Sequence, residues 1–110
     1  MVIILQLFYI FVNIISENIF MNENKPLSRE SYLSNMYNLE LEYINKIMLF
    51  QNYHYESNGE IVVLIDNDFP NFKTLSEKKV GEIVFLYENK GWKIRQERIN
   101  DRKEYLLVLS

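Results

Sequence analysis

The chain contains no cysteine. That excludes a disulfide scaffold, a thiolate zinc site, a cysteine nucleophile and a lipid-modified cysteine anchor. It does not fix the compartment. Histidine occurs once, at position 54. Charge of one sign is also scarce: the net charge of −3 is too small to imply a nucleic-acid or acidic-substrate partner. No basic residue precedes Lys25, and no small-residue cleavage site follows the apolar start, as a secretory signal would require. There is no internal repeat and no low-complexity tract.

What is present describes one folded domain. The chain has 110 residues, 48% of them hydrophobic and 15% aromatic, which argues for a modest packed core rather than disorder. Charge is uneven. Residues 1–60 carry 3 Lys/Arg against 7 Asp/Glu, and residues 61–110 carry 9 against 8.

The N-terminus is the least ordinary stretch. Of residues 1–15 only Gln6 and Asn13 are polar. A membrane span needs about 20 residues. Extension to Phe20 reaches that length but includes Glu17, which costs roughly 2.5–3.5 kcal/mol near a bilayer centre. The expectation is a hydrophobic membrane-anchor helix over residues 1–20. A signal-like segment and a buried core element are the alternatives. Residues 21–27 read as a linker, and Met21 is a second candidate start. Residues 28–110 form the expected domain.

That domain opens on a helix. Ser28 suits an N-cap. Apolar residues recur at Leu33, Tyr37, Leu41, Ile44 and Met48, a helical spacing that predicts one amphipathic helix from Ser28 to Gln51. Glu42 and Lys46 form a favourable i,i+4 pair on its polar side. A turn-rich connection, Asn52 to Gly59, follows. Glu60 to Asp66 is an unbroken apolar run, expected as a strand covered on both faces. Pro70 and a helical turn around Leu75–Lys79 come next. Three β-rich runs then read as an antiparallel meander: Val80–Glu88, Trp92–Ile99 and Glu104–Leu109. The breaks between them are Asn89-Lys90-Gly91, where Gly91 is expected in a left-handed backbone position, and Asn100 to Lys103. The predicted class is α+β: a long helix on a curved antiparallel sheet of about four strands, preceded by a hydrophobic N-terminal helix.

The order of elements, with the hairpin Glu88-Asn-Lys-Gly-Trp-Lys-Ile94, resembles the cystatin-like α+β roll of the nuclear-transport-factor and ketosteroid-isomerase type. The resemblance covers residues 28–110. The chain is shorter than most such rolls and shows no second N-terminal helix. The resemblance implies several functions, because members include isomerases, dehydratases, ligand binders and non-catalytic domains of secretion and conjugation machinery. Fold alone does not choose among them.

No catalytic, cofactor-binding or metal-binding residue is assigned from the sequence. His54 lacks a positioned partner and reads as a surface or packing residue, although Glu56 is near it in sequence. Asp66-Asn67-Asp68 could offer oxygen ligands, but Phe69-Pro70 follows where a calcium loop needs glycine and a further acid. It reads as a turn. Lys90, Lys93, Arg95, Arg98, Arg102 and Lys103 are interrupted by Glu97 and Asp101. They read as a solvated sheet face, and nucleic acid is not favoured as a partner. Tyr32, Tyr37, Tyr43 and Tyr53 lie in or beside the helix and are expected in the core with wet hydroxyls, or lining a pocket.

Three functional classes stay open. The first is a non-catalytic protein-interaction domain, tethered to a membrane through residues 1–20 and working through its sheet face. The second is a soluble cytosolic inhibitor or immunity-type protein starting at Met21, docking through its acidic half, including Glu40 and Glu42. The third is a small-ligand binder or enzyme with a pocket between helix and sheet, where Asp66 and Asp68 are the candidate acids. No cofactor is expected.

Overall fold

The computed structural model describes residues 25–99 and 104–110. The described residues form an α+β structure of four α-helices and a three-stranded antiparallel sheet that does not close. In order they are α1 (Arg29–Met36), α2 (Asn38–Phe50), α3 (Asn52–Asn58), β1 (Ile61–Ile65), a 3-10 turn (Phe72–Thr74), α4 (Glu77–Glu88), β2 (Ile94–Ile99) and β3 (Glu104–Leu109). The chain divides into two compact units, residues 1–31 and 32–110. In the first, the Ser31 N–H donates to Ser28 Oγ at 3.0 Å, the expected cap. The hydrophobic helix expected over residues 1–20 lies outside the described residues.

The single helix expected from Ser28 to Gln51 is instead bent in two places and runs further. Tyr37 (φ −99°, ψ 23°) and Gln51 (φ −99°, ψ 24°) leave helical geometry. Helical hydrogen bonding passes through both, from the Leu41 N–H to the Tyr37 carbonyl and from the Tyr55 N–H to the Gln51 carbonyl, each 2.9 Å. Asn52 to Asn58, expected as turns, is α3. It stops at Gly59, whose φ of 71° suits a residue without Cβ.

Val80–Glu88 is helix, where a strand was expected. Val80, Ile83, Val84 and Tyr87 are buried at a spacing of 3, 1 and 3, which is one helical face. Ser76 caps α4 by accepting from the Lys79 N–H at 3.3 Å, so the expected turn around Leu75–Lys79 is the start of this helix. Three strands therefore form where about four were expected. The Asn89–Gly91 break leads from a helix to a strand, not between two strands. Gly91 does have a positive φ, of 102°, as a residue closing a helix requires.

The sheet order is β1-β3-β2, with the last strand in the centre. Ile61 pairs with Leu109 and Ile65 with Tyr105 on one side of β3; Ile94 pairs with Leu109 and Ile99 with Glu104 on the other. Residues of one parity therefore share a face. Ile61, Val63, Ile65, Tyr105, Leu107 and Leu109 are all buried with Ile44, Val80 and Ile83 in one core cluster. Leu41, Met48, Phe85 and Ile94 pack against that cluster. Helix α2 lies on β1 and α4 on β2. The expected double burial of β1 is not seen: Leu64, on the far face, is 40% exposed. A short strand can be fully apolar and still be covered on one face only.

Candidate functional site

Polar ties stitch the helices together above the core. The Tyr37 hydroxyl donates to Glu82 Oε1 at 2.7 Å, joining the α1–α2 bend to α4. The Tyr87 hydroxyl donates to Asn45 Oδ1 at 2.8 Å, joining α4 to α2. Asn71 Nδ2 donates to Glu40 Oε1 at 2.9 Å, tying the loop after β1 to the first turn of α2. Glu40 is buried, and a carboxylate there is also favoured by the positive end of the helix. Asn71 holds φ at 58°, the one positive value for a non-glycine residue among those described. Asn tolerates that region better than most residues.

Burial is the main reason that Tyr37 holds its proton far above the ordinary phenol range, with the hydrogen bond and negative charge of Glu82 adding to it. Burial likewise raises Tyr87. Tyr43 is raised by burial first and by Asp66 and Asp68 second. Tyr37 and Tyr87 are therefore neutral hydrogen-bond donors, not bases.

Two recesses adjoin Asn71. One, of about 130 Å³, is lined by Met36, Tyr37, Glu40, Thr74, Leu75 and Lys79 as well as Asn71. It brings a carboxylate, a phenol and an ammonium group near one another, but it is small beside ligand sites of about 300–1,000 Å³. The other, of about 470 Å³, is lined by loop residues with Lys73 as its one ionisable group. Neither places an acid beside a base aimed at a common point.

The residues considered from the sequence separate rather than converge. His54 is exposed on α3, with Nδ1 3.1 Å from Asn58 Nδ2. Asp66 Oδ1 accepts from the Asp68 N–H at 3.0 Å, a local turn bond of the kind expected. Among the described residues, no three His, Asp or Glu side chains gather as a metal site would need. Arg95 pairs with Glu97 at 3.1 Å and Arg98 with Glu77 at 3.7 Å; Arg102 and Lys103 lie outside the described residues. Glu40 is not available for docking, because it is buried. Glu42 is exposed and pairs with Lys46 at 3.3 Å. Of the four tyrosines, Tyr37 is buried and Tyr43 meets Phe69 edge-on at 5.4 Å, whereas Tyr32 and Tyr53 face solvent.

The feature that sequence reading missed is apolar and outward. Leu49 is 74% exposed, Phe50 88% and Tyr53 86%. Tyr53 lies three and four residues after Phe50 and Leu49, across the Gln51 bend, so all three large side chains project within about one turn of each other. Tyr32, Met36 and Leu39 are also exposed. The periodic pattern did hint at this, because these positions fall off the buried Leu33–Tyr37–Ile44 stripe. No described helix is long and apolar enough to cross a membrane. Comparison with known proteins gives no family model, no curated protein and no solved structure that matches this chain.

Proposed function

We propose that the chain is a non-catalytic protein-interaction domain, tethered to a membrane through the apolar residues 1–20, that grips a protein partner with Leu49, Phe50 and Tyr53. The observation that carries this reading is the exposure of those three large side chains within five residues of one another. Large aromatic and aliphatic anchors with a polar rim are what binding hot spots are made of. The rim here is polar: Asn45, Lys46, Asn52 and Glu56 are exposed around them.

Charge favours a protein over a lipid surface for this ridge. Residues 29–60 hold Arg29 and Lys46 against Glu30, Glu40, Glu42, Glu56 and Glu60. A helix lying on anionic lipid carries the opposite balance. The test is a photo-crosslinking residue at position 53 of the full chain in its native host. A discrete protein adduct is expected, and Phe50→Asp should abolish it without altering thermal unfolding. Adducts to lipid alone, or a protein adduct indifferent to Phe50→Asp, would overturn the reading.

A further inference from the structure

The sheet has two edges, and among the described residues a side-chain cap is found on β1. Lys93 and Ser110 exchange both backbone bonds, at 2.9 and 2.8 Å. Alternation along an antiparallel ladder then turns Arg95 and Glu97 toward β3, and Ile94 and Gln96 toward the outside. The same alternation puts the outward groups of β1 at Val62 and Leu64. At Val62 the Gln51 carboxamide takes both, accepting from the N–H at 2.8 Å and donating to the carbonyl. It acts as one rung of a missing strand. Among the described residues no strand lies beyond β2, and Arg95, Gln96 and Glu97 are exposed.

We propose that β2 is a self-docking edge: a second copy of this chain pairs with it antiparallel, about a two-fold axis through Gln96. Backbone phase and charge select that register together. A symmetric pair must match outward residues with outward residues, so Ile94 cannot oppose Ile99 and the axis must pass through a residue. An axis at Arg95 or at Glu97 places like charges face to face, which destabilises a strand pair. An axis at Gln96 places each Arg95 opposite Glu97 of the second copy. The two Gln96 residues then exchange both backbone bonds, and Ile94 falls opposite Arg98 of the second copy. Edges are commonly protected by charge of one sign. Here opposite charges stand two residues apart, so an inverted copy meets its complement.

Strand pairing alone buries less than the roughly 1,200 Å² of a stable complex, so the dimer is weak and concentration-dependent. This surface is separate from the Leu49–Phe50–Tyr53 ridge, and neither proposal needs the other.

The experiment uses the full chain and sedimentation equilibrium. Arg95→Glu and Glu97→Arg should each abolish the association of the wild type, because each copy then repels its own kind. Mixed one to one, the two variants should associate again, since one now carries two acids where the other carries two bases. Both side chains are more than half exposed, so both variants should fold. The absence of cysteine allows a second test. Gln96→Cys should cross-link under mild oxidation, because the axis brings the two Cα atoms to about 5.5 Å, within disulfide reach. Lys93→Cys, one residue before the strand and off the axis, should not. A wild type that stays monomeric at high concentration, a mixture that fails to associate, or equal cross-linking of the two cysteine variants would each overturn the proposal.

Discussion

The two edges of the sheet solve the same problem differently. β1 is almost wholly apolar, and an open edge of that kind invites unwanted strand addition. The bend after α2 puts the Gln51 carboxamide on Val62, so the stickier edge is closed from within. β2 carries Arg95, Gln96, Glu97 and Arg98, and no side-chain amide caps it among the described bonds. This fold guards an edge with a side chain where the strand is greasy. Where the strand carries charge of both signs, no side-chain cap is found among the described bonds.

The contrast can be broken most forcefully at the strand both edges share. Leu107, in the centre of β3, is buried. Leu107→Ala should cost about 2–5 kcal/mol, read as a lower midpoint in urea, with protection lost on β1 and β2 alike. The next effect is specific to one edge. Gln51→Leu keeps much of the side-chain volume but leaves the Val62 N–H and carbonyl without their partner. It should cost roughly 1–3 kcal/mol and speed hydrogen exchange at Val62 selectively; unchanged exchange there would show that Gln51 is not the cap. The last effect, of similar size, concerns the entry to β2. Gly91 has open space where a Cβ would go, so a side chain meets no clash, only its φ of 102°. Gly91→Val should cost about 1–3 kcal/mol through backbone strain and displace the start of β2, while Val62 exchange stays as in the wild type.

Legibility in the sequence followed the amount of redundancy in each stretch. The β2–β3 pairing was readable because two alternating runs flank a polar break, and the structure pairs Ile94–Ile99 with Glu104–Leu109. The α2 face was readable for the same reason, with Ile44 at its centre and fully buried. Val80–Glu88 was misread because its run from Ile83 to Tyr87 is continuously apolar and rich in β-branched and aromatic residues. Composition spoke for strand while the 80, 83, 84, 87 spacing spoke for helix, and Gly81 weakened the helical case. A helix packed on one side and bordered by other helices can bury Leu86 too, which erases the polar face that would have settled it. The site was less legible still. Nothing in the local pattern marks Gln51 as an edge cap or Asn71 as the partner of Glu40, because both depend on residues 11 and 31 positions away. The exposed ridge was hidden because Tyr53, beside the helix, reads as core with a wet hydroxyl or as pocket lining.

The position of β3 also sets an order of events during synthesis. β1 and β2 never touch as neighbours; each reaches the sheet only through Glu104–Leu109. While the chain emerges from the ribosome, α1 to α4 can form from local contacts, but β1 has no ladder to join until some 40 further residues have appeared, since Ile65 waits for Tyr105. Over that interval the Gln51 carboxamide, 11 residues upstream and already made, can hold the outward groups of Val62, which point away from β3. The nascent chain thus closes the outer edge of β1 early and leaves the groups of Ile61, Val63 and Ile65 open for the strand that arrives last.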